Sequence, residues 1–225
     1  MKIGVLNTGH PPDNVRHNGP YDRYFAKLLD GHGFEVIGWD VVDGHFPDSV
    51  QAAQGWLITG SKHGAYEAHD WIPPLEDFIR AAHAAKIPMI GVCFGHQIIA
   101  QALGGKVVKF PQGWSVGLTD YKMDGRSYAI NAWHQDQVVE RPAEAEVFAS
   151  TPFCENAGLV YGDHIWTIQP HPEYDAEFVE NLIETRGAGV VPEDLLAEAR
   201  SKLGRPSDRM EVARIMADFF KKERA

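Results

Sequence analysis

The chain has 225 residues, of which 44% are hydrophobic and 23% are charged; this excludes intrinsic disorder and fits one large globular domain with an appendage. Its 21 basic and 31 acidic side chains give a net charge of −10, which argues against nucleic acid and anionic membranes as partners. Two cysteines are too few for a disulfide framework, and no apolar run approaches the roughly 20 residues of a membrane span, so we expect a cytoplasmic protein.

The first hundred residues alternate between strand-like and helix-like hydrophobic patterns. Residues 2–7 predict a buried strand, and the apolar spacing from Tyr21 to Leu29 predicts a helix. This alternation predicts right-handed βαβ units and a doubly wound, mainly parallel sheet flanked by helices, as in flavodoxin-like α/β folds. Further strands are predicted over 34–40, 55–60 and 86–92, and a helix over 72–82 with Asp70 as candidate N-cap.

The pattern changes after residue 105. Short segments joined by turns indicate a region of antiparallel ribbons, and helical spacing returns after Asp175, where Asp208 and Glu211 have the spacing of a capping box. We therefore expect one domain over residues 1–186 and a helical C-terminal extension over residues 187–225 packed on it. The short strands are predicted over 106–110, 117–121, 127–130, 146–150, 158–161 and 165–169.

Cys93 lies in the sharpest local motif, Gly91-Val92-Cys93-Phe94-Gly95, between a predicted strand and an apolar helical stretch. Glycines two residues on either side of a nucleophile permit the cramped strand-to-helix turn called a nucleophile elbow. The start of a helix also favours the thiolate form of a cysteine. The alternative is a small buried hydrophobe, as most free cysteines are. The elbow context favours a nucleophile.

His171 and Glu173 are the candidates for a base and the group that orients it. A thiolate that attacks a carbonyl needs both. The two residues follow a predicted strand at positions i and i+2, so they project to the same side, and the prolines around His171 stiffen the segment. The alternative interpretation is an ordinary surface pair in a loop.

An oxyanion formed during such an attack needs backbone N–H donors. The elbow supplies one at Phe94. A second can come from the glycine-containing turn that begins at Gly60, after the predicted strand over 55–60, because this turn lies at the same carboxyl edge of the sheet.

Three motifs in chain order resemble the class I glutamine amidotransferases of the Cys-His-Glu type. They are Gly-Val-Cys-Phe-Gly-His-Gln at 91–97, His-Gln-Asp-Gln-Val at 134–138 and Gln-Pro-His-Pro-Glu at 169–173. The resemblance covers most of the chain, from the first strand to the helix after Glu173. Within the family, the chain is similar to the glutaminase domain of GMP synthase.

The resemblance implies a chemical role for each residue of these motifs. Cys93 would attack a γ-glutamyl amide, His171 would act as general base and acid, and Glu173 would orient the imidazole. Gly60 and Phe94 would hold the oxyanion. Ammonia or an amine would leave, and a γ-glutamyl thioester would then be hydrolysed to glutamate. We expect no cofactor and no metal.

The resemblance also places the substrate pocket. It implies that Gln97 lines a glutamine pocket, and it puts Gly113, Trp114 and Ser115 near the substrate backbone. Trp114 could equally be a core or rim residue.

Other positions depart from the family pattern or lack a role in it. Ser61 stands where the family commonly has a second glycine, so the oxyanion donor is either Gly60 or Ser61. His96 is interpreted as packing in the first turn of a helix, and His134 with Asp136 as a structural hydrogen-bonding pair.

The length leaves no room for an ammonia-consuming synthetase beside the glutaminase. Either the chain docks on a separate synthetase partner, or it is a stand-alone hydrolase of γ-glutamyl amides or peptides. The chain beyond Gly187 differs from the minimal domain, and this slightly favours stand-alone use. In both cases the ligand is a small molecule, glutamine or another γ-glutamyl compound.

Two further classes are weaker. A metal-dependent hydrolase could draw on His10, His134, Asp136, His171 and Glu173, but these do not form a tight motif such as His-Glu-x-x-His. A non-catalytic binding or regulatory subunit is disfavoured because the cysteine, histidine and glutamate are all present. The chain also lacks a glycine-rich phosphate loop, so nucleotide binding is not indicated.

Overall fold

Eleven strands and six α-helices make up the chain in a computed structural model that describes residues 1–224, without the side chains of residues 16–18. Within those residues, no helix combines the length and apolar character needed to cross a bilayer. The strands are β1 (Lys2–Leu6), β2 (Glu35–Trp39), β3 (Gly55–Ile58), β4 (Met89–Val92), β5 (Lys106–Lys109), β6 (Ser115–Met123), β7 (Arg126–His134), β8 (Asp136–Glu140), β9 (Ala145–Ser150), β10 (Gly158–Tyr161) and β11 (Ile165–Ile168). The α-helices are α1 (Tyr21–Leu28), α2 (Ile72–Ala84), α3 (Phe94–Ala102), α4 (Ala176–Leu182), α5 (Glu193–Ser201) and α6 (Arg209–Lys221).

A nine-stranded sheet with the order β2-β1-β3-β4-β11-β10-β9-β6-β7 runs through the molecule, and β5 pairs with β8 in a separate small sheet. Strands β2, β1, β3, β4 and β11 are parallel to one another, and β10, β9, β6 and β7 continue the sheet with antiparallel pairing that begins between β11 and β10. This confirms the predicted doubly wound α/β fold with an antiparallel region. Strands β6 and β7 are longer than predicted, and β8 was not predicted.

Strand β1 shows how the apolar core is divided between the two faces of the sheet. Ile3 and Val5 pack in the same cluster as apolar residues of α1 and α6. Leu6 packs with Trp56 in a second cluster that includes residues of α2 and α3. Because neighbouring side chains of a strand point to opposite faces, helices cover both faces of the parallel half.

A third apolar cluster lies where α1, α4 and α5 meet. Tyr21 at the start of α1 and Tyr174 just before α4 are both buried in it, and Trp114 and Trp133 pack against it partly buried. These aromatic residues become important below because they also line the candidate site.

Helix α6 belongs to the main core as well as to the C-terminal segment. Val212, Met216 and Phe220 are buried in one cluster with Ile3 and Phe25. The extension therefore contributes apolar side chains to the packing against the sheet.

The predicted N-cap of α2 is wrong. The helix begins at Ile72, Trp71 occupies the cap position, and no side chain caps it. An N-cap side chain bonds to an N–H group two or three residues later, which for Asp70 means Ile72 or Pro73. The Ile72 N–H already donates to the His69 carbonyl at 3.0 Å, and proline has no N–H, so Asp70 has no free donor to bind.

The predicted capping box at α6 is also wrong. Asp208 does precede the helix, but its side chain makes no cap hydrogen bond. Its carboxylate accepts instead from the N–H of Ala129 at 2.7 Å, and its own N–H donates to the Ala129 carbonyl at 2.8 Å. Glu211 pairs with Arg214 at 2.6 Å. Asp208 thus joins α6 to strand β7.

The packing of α6 can be tested with Phe220, which is 2% exposed. We expect Phe220→Ala to lower the free energy of unfolding by about 3–5 kcal/mol, because it removes a buried ring and leaves a cavity. Met210 in the same helix is 55% exposed, and Met210→Ala should change the free energy of unfolding by less than about 0.5 kcal/mol. Urea unfolding of the three proteins gives the comparison. Equal, small effects of both variants would mean that α6 does not belong to the core.

Candidate active site

Cys93 occupies a strained turn between β4 and α3. Its φ of 51° and ψ of −104° lie outside the backbone regions that residues other than glycine readily adopt. A Cβ on Gly91 would come within 2.5 Å of the Gly95 carbonyl oxygen, and a Cβ on Gly95 within 2.1 Å of the Ile58 carbonyl oxygen. Both glycines are required for the turn to close, which is the elbow geometry that the motif predicted.

Neighbouring parallel strands bring the distant motifs together. Strand β4 pairs with β11, with Val92 opposite Ile168, so Cys93 and the segment after β11 leave the same carboxyl edge of the sheet. The N–H of Cys93 donates to the Ile168 carbonyl at 2.9 Å and fixes the elbow against this strand.

His171 and Glu173 form a buried pair beside Cys93. The His171 Nδ1 and Glu173 Oε1 atoms are 2.6 Å apart, and the two side chains are 2% and 1% exposed. Burial by itself lowers the pKa of His171, but attraction to Glu173 and Cys93, with a hydrogen bond to each, raises this pKa to about 10. Glu173 and Cys93 therefore both favour the protonated form of the imidazole that lies between them.

Asn131 of β7 holds the turn that carries His171. Its carbonyl accepts the His171 N–H at 2.8 Å, and its side-chain amide donates to the Tyr174 carbonyl at 3.0 Å. The Tyr174 ring stacks on the imidazole with a centroid distance of 4.0 Å and an angle of 5°. The imidazole is thus fixed by its backbone, its carboxylate partner and the ring on its face.

Arg209 of α6 holds the same turn from the other side. Its Nε donates to the Pro172 carbonyl at 2.9 Å, and its Nη2 donates to the Glu173 carbonyl at 3.3 Å. The C-terminal helix therefore contributes directly to the placement of Glu173.

The expected oxyanion donors lie near the sulfur. A Cβ on Gly60 would be 2.9 Å from Cε1 of His171 and 3.7 Å from Cβ of Cys93, so the backbone of Gly60 passes beside both side chains. Within the described chain, the N–H groups of Gly60 and Ser61 have no hydrogen-bond acceptor. Phe94 is the first residue of α3, where N–H groups have no partner inside the helix.

A cavity of about 480 Å³ has both Cys93 and His171 in its wall. Its volume lies in the range of about 300–1,000 Å³ that is typical of small-molecule sites. One part of the wall is aromatic, with Tyr21, Trp133 and Tyr174, and another part carries charged side chains, among them Lys62, Glu67, Lys109, Asp136 and Arg186.

Two of the four residues that were expected to contact substrate lie in the cavity wall. Gln97 and Trp114 line the cavity, whereas Gly113 and Ser115 are not part of its lining. The Gln97 side-chain amide donates to the Asp136 carbonyl at 2.9 Å and to Gln169 Oε1 at 3.1 Å, which fixes its orientation.

The second cysteine and two histidines near the motifs are buried and uncharged. Burial and the nearby Cys93 raise the pKa of the Cys154 thiol to about 12. Burial lowers the pKa of both His96 and His134 to about 3. His96 lies 2.8 Å from the Thr167 hydroxyl, and His134 bonds to the main-chain carbonyl of Asp136 at 3.2 Å.

A cluster that could hold a metal ion lies at different residues from those considered in the sequence. Within residues 1–224, His63, Glu67 and His69 bring their ligand atoms within 4.8 Å of one another. His10 pairs instead with Asp43 at 3.1 Å. Two imidazoles and a carboxylate suit zinc, but nothing in the Cys93–His171–Glu173 geometry depends on this cluster.

Comparison with known proteins identifies the family. The model of the family described as Glutamine amidotransferase class-I matches residues 50–183, more than half of the chain. The chain belongs to this family. The chain is 30% identical to γ-glutamyl peptidase 2 of Arabidopsis thaliana, over 95% of this chain and 94% of that protein. It is 29% identical to the glutamine-hydrolysing GMP synthase of Bordetella parapertussis, over 75% of this chain and 36% of that protein.

The fold agrees with this identification. A crystal structure of a glutamine amidotransferase from Thermotoga maritima superposes with a TM-score of 0.77, 18% identity and 99% coverage of both chains. The resemblance that the motifs indicated is confirmed, and the protein is a glutamine amidotransferase-like hydrolase.

The elbow can be tested at Gly95. We expect Gly95→Ala to lower the free energy of unfolding by about 1–3 kcal/mol or more, because its Cβ would overlap the Ile58 carbonyl. Gly204 has open space around it, so Gly204→Ala is the matched control and should leave stability within about 0.5 kcal/mol of the wild type. Urea unfolding measures both. Wild-type stability in Gly95→Ala would contradict the tight turn.

The buried histidines predict a loss of stability in acid. His96 has a pKa of about 3 when folded and about 6.5 when unfolded, so the unfolded state binds more protons between these values. The free energy of unfolding should therefore fall with pH below about 6.5, by up to about 1.4 kcal/mol per pH unit for this residue.

The variant His96→Gln should reduce this pH slope, because glutamine does not titrate. His45 is exposed, and His45→Gln should leave the slope unchanged. Urea unfolding between pH 7 and 4 gives the slopes, and the comparison of slopes does not depend on the absolute stability of the variant. An unchanged slope in His96→Gln would show that His96 does not carry the effect.

Proposed function

We propose that this protein is a stand-alone γ-glutamyl peptidase, which cleaves the γ-glutamyl amide bond of small peptides through a Cys93 thioester. The observation that carries the proposal is the meeting of Cys93 and His171 in the wall of one cavity, with Glu173 paired to His171 at 2.6 Å. A strained nucleophile, a protonated imidazole and a buried carboxylate are the parts that acyl transfer requires.

The reaction follows from these positions. The Cys93 thiolate attacks the γ-carbonyl carbon and forms a C–S bond, while the carbonyl oxygen becomes an oxyanion. Collapse of this intermediate breaks the C–N bond, and His171 gives its proton to the leaving amine. Water then attacks the thioester, His171 accepts a proton from it, and the C–S bond breaks to release glutamate and the thiolate.

Backbone donors and the pocket complete the proposal. The N–H groups of Phe94 and of Gly60 or Ser61 donate hydrogen bonds to the oxyanion, and the lack of another acceptor for Gly60 and Ser61 in the described chain supports this role. Gln97 and Trp114 contact the γ-glutamyl substrate from the cavity wall, whereas Gly113 and Ser115 act at most through the backbone around Trp114.

Stand-alone action is supported by the C-terminal segment. Arg209 belongs to the helix that anchors the turn of Glu173, and the match to the plant γ-glutamyl peptidase extends over 95% of the chain, including this part. The match to a GMP synthase favours a second candidate function, in which a separate synthetase receives ammonia from this chain.

The test is an assay of the purified protein with glutamine and a panel of γ-glutamyl dipeptides, with glutamate, free amine and ammonia as products. We expect hydrolysis of dipeptides, and a loss of about 10⁴-fold or more in Cys93→Ala, because the nucleophile is removed. Cys154 is buried and lies outside the cavity lining, so Cys154→Ala serves as control and should retain activity.

An electrophilic glutamine analogue should label Cys93 and spare Cys154. Full activity in Cys93→Ala would remove the proposed mechanism. Inactivity of the pure protein on every substrate, with glutamine hydrolysis only after a cell extract is added, would instead support the synthetase-dependent function.

A further inference from the structure

We infer that Arg186 binds the free carboxylate of the leaving amino acid or peptide and thereby makes the enzyme prefer γ-glutamyl peptides over glutamine. The inference rests on the proposed function and adds to it a subsite for the leaving group. Glutamine releases ammonia, which has no carboxylate, whereas a γ-glutamyl dipeptide releases an amino acid that has one.

Arg186 is a cation with an unmatched charge in the cavity wall. It lies in a π-helical turn over Ile183–Gly187, a type of turn that is rare and often found at functional sites. Its guanidinium donates to the His10 carbonyl at 2.7 Å and to the Tyr21 hydroxyl. Within the described part of the chain it forms no ion pair, so its full charge is available to an anion.

The contacts of Arg186 place it on the leaving-group side. The amine that departs must lie beside His171, which gives it a proton. Tyr174 stacks on His171 at 4.0 Å, and its hydroxyl hydrogen-bonds to that of Tyr21, which also receives the Arg186 hydrogen bond. A continuous wall of side chains therefore leads from the proton donor to the guanidinium.

The two lysines of the cavity wall lie beside other titratable groups. Lys109 attracts Asp136, whose pKa burial raises and Lys109 lowers, and Lys62 lowers the pKa of His63 by repulsion. Arg186 differs from both lysines in its link to His171 through Tyr21 and Tyr174. Its planar guanidinium can bind a carboxylate through two parallel hydrogen bonds, which a lysine cannot do.

The aromatic wall around Arg186 suits the rest of a leaving amino acid. Tyr21, Trp133, Tyr174 and Val190 present ring and aliphatic surface to the cavity. Such a wall excludes water from a carboxylate and guanidinium pair and strengthens it relative to the same pair in bulk solvent.

The experiment compares γ-glutamylalanine with γ-glutamylalaninamide, in which the carboxylate is replaced by a neutral amide. The readout is the ratio of kcat/KM for the acid to kcat/KM for the amide. We expect the wild type to favour the acid, and Arg186→Met to lower the ratio by about 10- to 100-fold, as for the loss of a charge-assisted hydrogen-bonded pair.

Two further variants sharpen the test. Arg186→Lys keeps the positive charge but cannot form two parallel hydrogen bonds to a carboxylate, and it should give an intermediate ratio. Arg200 is exposed on α5 and lies outside the cavity lining, so Arg200→Met should keep the wild-type ratio. Because both substrates have the same γ-glutamyl group, any change in folding or in the His171–Tyr174 stack affects both kcat/KM values and cancels in the ratio.

Each outcome decides one question. A wild-type ratio near one, or an equal ratio in wild type and Arg186→Met, would overturn the role of Arg186 while Cys93-dependent cleavage of either substrate still supports the proposed function. Absence of Cys93-dependent cleavage of both compounds would overturn the proposed function itself.

Discussion

The closing of the Cys93 elbow is the constraint on which the site depends. The turn forces a non-glycine residue into an unfavourable backbone conformation, and it leaves no space for a Cβ at Gly91 or Gly95. The strain is held by structure on both sides, since the Cys93 N–H bonds to β11 and the Gly95 N–H bonds to the Thr59 carbonyl at 3.0 Å. Three adjacent parallel strands therefore clamp one sulfur-bearing residue.

The same three strands explain why the residues of the candidate site lie together at one edge of the sheet. Cys93 follows β4, Gly60 lies just beyond β3, and His171 lies just beyond β11, so the order of strands in the sheet brings together residues from distant parts of the chain. The antiparallel half then adds a second layer of support, because Asn131 of β7 receives the N–H of His171. The fold positions the residues of the candidate site through backbone hydrogen bonds, which leave their side chains little freedom.

The sequence predicts the parts of this arrangement that depend on short local patterns. The parallel half of the sheet, the elbow glycines and the His171–Glu173 pair all follow from runs of a few residues, and the structure brings them together as the motifs indicated. The caps of α2 and α6 were misassigned because spacing alone does not show whether a free N–H donor is present at the bonding positions. It also does not show that strand β7 competes for the Asp208 carboxylate. The supports from Asn131, Tyr174 and Arg209 were missed because two come from remote segments, and the aromatic stack on His171 has no sequence signature.

The hydrogen bonds from Arg209 to the carbonyls of Pro172 and Glu173 link the order of synthesis to the geometry of the candidate site. A ribosome completes the sheet strands and the His171 turn before it makes α6, so a growing chain holds Cys93, His171 and Glu173 before it holds the helix that supports this turn. Until α6 folds onto β7, the main chain at Pro172 and Glu173 lacks the hydrogen bonds from Arg209. The candidate site would therefore reach its final geometry late in folding, after the rest of the fold is formed.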